Sequence, residues 1–336
     1  MRQPPVVDGI VYARAGREEL TAQVHALLDE GDVDGARVAL FADADDWWTE
    51  PPPPPAQLAQ VAGAATFREA MALLGMGRVG DYFAHRWSDP TWLAGLALLQ
   101  RHWPGQRHAV EIACGTGHLL RELHRRGCAD LVGVDVVWAK LWLAQRFVCP
   151  EATYVCADVV AALPVTGPTY VLCHDALYFF ADKPAAVAAI QRLADGGTVV
   201  VGHAHVADRV GSGEPLTAAA WADLLGTDLL YDDDELTRSL LERRSPVPAA
   251  AAALEGSEAV ALVAGDPCAP APHDLGEPLG PLRPNPLYVD GALRWPSQRY
   301  EQEYAPRSSY LPVRWPDPLP ADAARRRLLV DLPEHW

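Results

Sequence analysis

The middle of the chain, from about residue 106 to 265, alternates short apolar runs with stretches of helical periodicity. The apolar runs occupy residues 108–113, 131–136, 152–157, 169–174 and 198–205, with a last one at 258–265. Helical patterns separate or follow them at 117–126, 138–148, 183–194, 216–225 and 234–243. Nearly continuous hydrophobic strands that alternate with helices are typical of a parallel sheet covered on both faces. The pattern therefore predicts an α/β fold.

The N-terminal region, residues 1–105, lacks this alternation and is predicted to be helical. Residues 17–42 carry apolar side chains at helical spacing, which indicates a helical hairpin with Gly31 near a C-cap and Asp32 or Asp34 near an N-cap. The prolines at 51–55 predict a stiff spacer. Further amphipathic helical segments are expected at 56–74 and 91–101.

The C-terminal region, residues 266–336, has poor periodicity and is rich in proline and large aromatic residues. The aromatic residues include Trp295, Tyr300, Tyr304, Tyr310 and Trp315. A disordered tail is the alternative, but so many large aromatics favour an ordered arm that wraps the core or covers the site. We thus predict three regions, with boundaries at 1–105, 106–265 and 266–336.

The charge of the chain argues against nucleic acid as a partner. There are 44 acidic and 28 basic residues, and the formal net charge is −16. Proteins that bind DNA or RNA need a basic face for the phosphates, so neither nucleic acid nor an acidic membrane surface is an expected partner. The six cysteines form no CxxC pair, and we find neither a signal segment nor an apolar stretch of membrane-spanning length. Cytoplasmic localisation is the expectation.

The most informative stretch is the small-residue turn at residues 110–120, with the sequence VEIACGTGHLL. A predicted strand ends here and a predicted helix opens. Glycine is needed where φ is positive or where a ligand approaches the backbone closely. A dinucleotide-binding turn would require a third glycine at position 120, which is Leu120, so a nicotinamide oxidoreductase is disfavoured.

This stretch resembles motif I of the class I S-adenosylmethionine-dependent methyltransferases, an acidic residue followed by a turn of the form E-x-G-x-G-x-G. Here Ala113 replaces the first glycine of the pattern. The resemblance implies a Rossmann-like sheet and S-adenosyl-L-methionine as the cofactor. It implies that the turn cradles the methionine part of the cofactor, with contacts from Glu111, Ala113, Cys114, Gly115 and Gly117.

Two further acids follow the next two predicted strands. Asp135 ends the run at 131–136, where a carboxylate accepts hydrogen bonds from ribose hydroxyls in folds of this kind, and Val136 would pack on the adenine. Asp158 ends the run at 152–157, where the resemblance implies a bond to the adenine amino group. The resemblance covers roughly residues 106–265, and it also implies cofactor contacts from Val159, Cys173 and Tyr82. Tyr82 would act as an aromatic lid, and the alternative is an aromatic side chain that packs between helices.

Three histidines end the fourth and fifth strands of the predicted core. His174 and Asp175 follow strand four, and His203 and His205 close strand five, where residues two apart point to the same face. Methyl transfer to a hydroxyl or a protonated amine requires removal of a proton, and imidazole is the usual base. We expect His205 to be the general base, with His174 as the second candidate, His203 beside them and Asp175 as the orienting acid.

The same side chains form a nitrogen-rich set that a divalent metal could use, but our prediction is a site without metal. No Asn/Asp-Pro-Pro-aromatic motif follows strand four, which disfavours an amino acceptor of the nucleobase or glutamine type. The acidic run at 232–235 is interpreted as a solvated helix N-terminus.

The sequence thus predicts a methyltransferase that acts on a small-molecule acceptor, with O-methylation favoured over N-methylation and specialised metabolism as the setting. The alternative is a catalytically silent methyltransferase-like protein that binds the cofactor or a partner. The helical N-terminal region is a candidate surface for a homodimer.

Overall fold

The computed structural model describes residues 2–103, 105, 107–161, 163, 170–206, 213–265 and 274–336. The chain forms two compact units. The first comprises Met1–Gly80, Val110–Pro164 and Pro333–Trp336, and the second comprises Asp81–Ala109 and Val165–Leu332. The three-region division expected from the sequence stays a prediction.

The described strands are numbered in chain order. They are β1 (Val6–Val7), β2 (Ile10–Ala13), β3 (His108–Ile112), β4 (Asp130–Asp135), β5 (Thr153–Ala157), β6 (Tyr170–His174), β7 (Thr198–His205), β8 (Leu230–Asp232), β9 (Ala259–Ala264), β10 (Arg283–Pro284), β11 (Tyr288–Val289), β12 (Ala292–Leu293) and β13 (Leu329–Val330).

The α-helices are α1 (Glu18–Asp29), α2 (Val33–Phe41), α3 (Pro55–Leu58), α4 (Phe67–Leu73), α5 (Gly77–His85), α6 (Pro90–His102), α7 (His118–Arg125), α8 (Trp138–Leu143), α9 (Lys183–Ala194), α10 (Ala218–Leu225), α11 (Asp233–Leu241) and α12 (Gln298–Tyr304). Among the helices of the described residues, none is both long and apolar enough to span a membrane.

Strands in the first unit follow the order β1-β2-β5-β4-β3. The pairs β2–β5 and β4–β5 are parallel, as the alternating pattern predicts for the core strands. Helix α8 continues into a π-helical turn at Ala144–Val148, so the helical pattern at 138–148 is confirmed with a change of hydrogen-bond register at its end.

The strands β1 and β2 correct the prediction that residues 1–105 are helical. They pair antiparallel around Asp8 and Gly9, whose φ angles are 53° and 81°, and β2 then extends the sheet beside β5. Positive φ at both central residues is the geometry that an Asp-Gly hairpin turn requires. The hairpin therefore adds an edge to the sheet that helical periodicity could not reveal.

The helical hairpin predicted at 17–42 is confirmed as α1 and α2. Gly31 joins them at φ 79°, and the Asp32 carboxylate caps α2 by accepting a 2.8 Å bond from the Gly35 amide. The single segment predicted at 56–74 is instead divided into α3, a 3₁₀ turn at Val61–Gly63 and α4.

Strands in the second unit follow the order β6-β7-β9-β8, with β6 and β7 parallel and β9 antiparallel to both of its neighbours. Strand β8 was not predicted. Helix α6 is buried on nearly every side and packs against α11 and β7, which explains why its sequence is apolar all round. Asp89 caps this helix through a 2.7 Å bond from the Trp92 amide.

The part of the C-terminal region that the structure describes, residues 274–336, forms an ordered arm. Tyr300, Tyr304 and Tyr310 are buried. The Tyr310 hydroxyl donates a 2.8 Å hydrogen bond to the Ser88 carbonyl, just before α6. These three tyrosines are therefore part of the core of the second unit, which agrees with the ordered-arm interpretation, whereas Trp295 and Trp315 are only partly buried.

A substitution in β4 tests how tightly this strand packs. A Cβ at Gly133 would lie 2.8 Å from side-chain atoms of Leu120 and Tyr154, which is closer than carbon atoms approach. We expect Gly133→Ala to lower the free energy of unfolding by about 1–3 kcal/mol, because a filled core has no room for the methyl group. Chemical denaturation measures the loss. Gly63→Ala is the control, since its Cβ would meet no atom within 4 Å, and an equal loss in both variants would contradict the packing argument.

Candidate functional site

The turn between β3 and α7 is built on alternating residues with positive φ. The φ angles are 53° at Ala113, 54° at Gly115 and 76° at Gly117. A Cβ at Gly117 would lie 3.1 Å from the Tyr154 hydroxyl and 3.2 Å from the Ala144 Cβ, so this glycine serves both backbone geometry and packing. Ala113 carries the conformational cost that the family pattern avoids with glycine.

Asp135 braces this turn from the end of β4. One carboxylate oxygen accepts a 3.0 Å bond from the Gly115 amide, and the other accepts a 2.9 Å bond from the Val137 amide. The side chain is buried, and burial raises the pKa of its carboxyl group, while Lys140 opposes that shift. A carboxylate has about four acceptor positions, so two remain after both amides are bound.

Lys140 and Asp45 surround Asp135 and were not found in the sequence analysis. The Lys140 ammonium lies 2.7 Å from Asp45 and 3.6 Å from Asp135. Burial opposes the charged form of Lys140, but the two carboxylates outweigh it and raise the pKa of the amine. Asp45 lies 95 residues from its partner in sequence, so no local pattern could have linked the two.

Asp158, just beyond β5, accepts a 2.9 Å hydrogen bond from the Ala15 amide in the segment after β2. Asp158, Val136 and Val159 are only partly buried, which leaves polar and apolar surface open to a ligand. Glu111 and Cys114 are buried in β3 and at its end, and burial raises the pKa of the Cys114 thiol. Together with the turn, these residues form the candidate cofactor cradle of the first unit.

The other predicted site residues belong to the second unit. They are the four catalytic candidates His174, Asp175, His203 and His205, and the two cofactor candidates Cys173 and Tyr82. Cys173 is buried within β6. Tyr82 does not stand alone as a lid, since its hydroxyl donates a 2.9 Å hydrogen bond to Asp175.

Asp175 is the centre of a buried polar cluster. One carboxylate oxygen accepts a 2.7 Å bond from the Tyr178 hydroxyl, and the other accepts the bond from Tyr82 and lies 3.3 Å from the Arg86 guanidinium. Burial alone would raise the pKa of Asp175, but the charges of His203 and Arg86 lower it below its usual range. The carboxylate is thus held ionised and oriented.

His203 lies between two carboxylates. Its Nδ1 makes a short hydrogen bond with Asp233, and its Nε2 lies 3.8 Å from Asp175. Burial opposes protonation, but Asp233 and Asp175 raise the pKa of the imidazole. Asp233 is itself buried, which corrects the interpretation of the acidic run at 232–235 as entirely solvated.

The strand geometry at His203 differs from the regular alternation assumed for residues 203 and 205. The register between β7 and β9 shifts between Val201 and Ala204, and His203 has φ 52°. A bulge of this kind redirects a side chain. The two rings nevertheless meet, with centroids 5.0 Å apart.

His174 and His205 differ in accessibility. His174 is buried, its Nε2 donates a 3.1 Å bond to the Thr91 carbonyl, and its ring fills the space left by Gly95 and Gly202. Burial lowers its pKa to about 4. His205 is only partly buried and lies against Tyr178, with ring centroids 4.2 Å apart; burial lowers its pKa to about 4 as well.

The comparisons with known proteins agree with motif I. Residues 109–197 match a family model described as a methyltransferase domain. No curated protein matches the chain.

Three solved structures illustrate the likeness. CalS10, an amino pentose methyltransferase from Micromonospora echinaspora, is 25% identical over 38% of this chain and 57% of that chain, with a TM-score of 0.32. DesVI from Streptomyces venezuelae is 23% identical over 39% of this chain and 57% of that chain, with a TM-score of 0.32. Geranyl diphosphate C-methyltransferase from Streptomyces coelicolor is 14% identical over 51% of this chain and 74% of that chain, with a TM-score of 0.37. This chain matches little more than half the length of CalS10 and of DesVI.

The matched segment begins in β3 and includes the glycine turn, Asp135 and Asp158, so motif and family model coincide. The match at residues 109–197 and the largely parallel sheet support a class I, Rossmann-like methyltransferase domain, the class whose cofactor is S-adenosyl-L-methionine. The resemblance inferred from the sequence is confirmed.

Ala113 offers a test of the strain in the turn. Ala113→Gly removes a Cβ from a backbone at φ 53°, and we expect the free energy of unfolding to rise by about 1 kcal/mol. Thermal or chemical denaturation measures the change. The reverse substitution in the same turn, Gly117→Ala, should destabilise the protein. A loss of stability in Ala113→Gly would show that the backbone at Ala113 is not strained.

Proposed function

We propose that this protein transfers the methyl group of S-adenosylmethionine to a hydroxyl group of a small-molecule acceptor in specialised metabolism. The observation that carries the proposal is the braced turn of the first unit, where Asp135 binds the amides of Gly115 and Val137 and retains acceptor capacity for a ribose. The formal net charge of −16 supports a small acceptor over a polyanionic one.

The residues of the cradle fit the chemistry of this cofactor. A ribose diol donates hydrogen bonds, which Asp135 can accept, and an adenine ring needs apolar contact, which Val136 and Val159 can give because both are partly exposed. Asp158 supplies an acceptor for the adenine amino group. Glu111 and the turn from Ala113 to Gly117 are the proposed contacts of the methionine part.

When bound, S-adenosylmethionine supplies an electrophilic methyl group on a sulfonium. The protein must then position the acceptor and take its proton. We propose that His205 takes the hydroxyl proton, because it is the most exposed of the three histidines and has an unprotonated nitrogen at neutral pH. His174 is the weaker candidate, since its Nε2 is bound to Thr91 and its ring is enclosed.

Asp175 would act as a positioning residue in this reaction. Tyr82 and Tyr178 hold its carboxylate, and its negative charge favours the protonated form of the His205 imidazole, which burial and the charge of His203 oppose. A fixed negative charge beside a histidine stabilises the imidazolium that forms when a proton is taken up.

The ribose assignment predicts the effect of one substitution on cofactor affinity. Asp135→Ala should weaken the binding of S-adenosylhomocysteine by about 10–100-fold, because charged hydrogen bonds contribute about 1.5–3 kcal/mol. Isothermal titration calorimetry measures the dissociation constant. Asp130→Ala, an exposed acid at the other end of β4, is the matched control. Unchanged affinity in Asp135→Ala would reject the assignment.

A second prediction concerns the base. His205→Ala should reduce turnover by about 10²–10⁴-fold while the affinity for the cofactor stays within a few-fold. Mass-spectrometric detection of S-adenosylhomocysteine with pools of hydroxylated acceptors measures turnover. The partly exposed His25 of α1 provides the control variant, His25→Ala. If the wild type binds cofactor but forms no product with any pool, the catalytically silent alternative is supported instead.

A further inference from the structure

We propose that Asp175, His203 and His205 bind a divalent transition-metal ion, with Zn²⁺ as the preferred ion. One carboxylate oxygen and one nitrogen of each imidazole lie within 4.8 Å of one another. Two imidazoles and one carboxylate form a ligand set that zinc and non-haem iron use while positions stay open for an exogenous oxygen. Binding of the ion does not depend on methyl transfer, whereas the consequence for His205 given below rests on the proposed function.

The buried Asp233 prepares His203 for this role. Its carboxylate binds Nδ1 of His203, which leaves Nε2 directed at Asp175, 3.8 Å away. A carboxylate behind a histidine is the common outer partner of metal-bound imidazoles, because it fixes the tautomer and the ring orientation. The separation of 3.8 Å suits two ligands that share one ion at bond lengths of about 2.0–2.2 Å.

The carboxylate of Asp175 is oriented in the same way. Arg86 and Tyr82 contact one oxygen, so the other oxygen, which also accepts the Tyr178 hydroxyl, is the one that faces His203. Hydrogen bonds to a ligating carboxylate are a regular feature of metal sites. The side chains of Asp175 and His203 are therefore held in place before any ion binds.

The charge of the cluster favours a cation. Three carboxylates, those of the buried Asp89 and Asp233 and of the partly buried Asp175, face the Arg86 guanidinium and the His203 imidazole, so acidic groups outnumber cationic groups even when His203 is protonated. Arg307 is nearby, but it pairs with Glu258 at 2.9 Å. Buried charge without compensation is costly, and a divalent ion would remove the excess.

The backbone at two of the proposed ligands, Asp175 and His203, is strained. Asp175 has φ 58° and His203 has φ 52°, which non-glycine residues rarely adopt and which cost about 1–3 kcal/mol each. Such strain concentrates at binding and catalytic positions. The bulge in β7 and the turn after β6 thus place these two side chains where a regular strand would not.

The ion would alter the role of His205 in the proposed reaction. In the metal-loaded protein His205 is a ligand, and an acceptor hydroxyl at an open position would lose its proton more readily, because coordination lowers the pKa of a bound oxygen. The acceptor class would then be one whose oxygen can reach a metal, such as an alcohol or a phenol.

The test uses the full chain after treatment with a chelator. Titration with Zn²⁺, followed by calorimetry, should give about one ion per chain, and Co²⁺ should give a visible absorption spectrum typical of nitrogen and oxygen ligands. His205→Ala should weaken Zn²⁺ binding by at least about tenfold, and Asp233→Asn, which changes only the orienting partner, should weaken it by about 10–100-fold.

His25→Ala is the matched control and should bind Zn²⁺ as the wild type does, and circular dichroism checks that each variant is folded. The absence of stoichiometric Zn²⁺ binding, or equal binding by wild type and His205→Ala, would overturn the proposal. Calorimetry with S-adenosylhomocysteine on the same samples is independent of the ion. A protein that binds the cofactor but no Zn²⁺ refutes this inference and leaves the proposed function intact. A protein that binds Zn²⁺ but not the cofactor refutes the proposed function and leaves this inference intact.

Discussion

Left-handed backbone at non-glycine residues is the constraint on which the candidate cofactor cradle of the first unit and the polar cluster of the second unit each depend. Ala113 follows β3, Asp175 follows β6 and His203 lies within β7, all with φ between 52° and 58°. Each such residue costs about 1–2 kcal/mol, which is a large fraction of a net stability of about 5–15 kcal/mol. Buried hydrogen bonds hold these conformations, for example the 2.9 Å bond from the Asp175 amide to the Gly202 carbonyl. At these three positions the strain is thus maintained where polar groups are presented.

The core elements could be predicted because each one carries its own signal. The strands β3 to β7 and β9 are runs of buried apolar residues, and the helices between them repeat with the helical period. The hairpin β1–β2 was missed because its strands have two and four residues, although Asp8-Gly9 between apolar neighbours was a usable turn signal. Strand β8, with three residues, is too short for any periodicity to show.

The candidate site could be predicted only in part, because strand ends are visible in the sequence and buried ion pairs are not. The positions of Asp135 and Asp175 followed from the strands before them. Their partners did not, since Lys140 is recruited to Asp45 across 95 residues and Tyr82 to Asp175 across 93. Asp233 was misread because an acidic helix N-terminus is normally solvated, and only the fold brings it to His203, 30 residues away. Pairings of this kind are set by tertiary structure.

The buried cluster around Asp175 is better explained by function than by stability. Replacing a buried ion pair with apolar residues of similar volume is often neutral or stabilising, so Arg86, Asp89 and Asp175 are a costly way to fill a core. Within the cluster the side chains have distinct tasks. Asp175 is held by two tyrosines and a guanidinium, and His203 is held between two carboxylates, so the orientation of both side chains is fixed.

His205 is the member of the cluster that remains adaptable, since it is partly exposed and its ring contacts Tyr178 and His203 without a strong hydrogen bond to either. In this cluster the charged side chains are fixed and one imidazole at the edge is accessible. Such an arrangement can bind a proton or an ion. The charges of the neighbouring side chains determine which species His205 can bind. Because acidic groups outnumber cationic groups in the cluster even when His203 is protonated, its electrostatics favour a positive species over a negative one, whichever acceptor the protein binds.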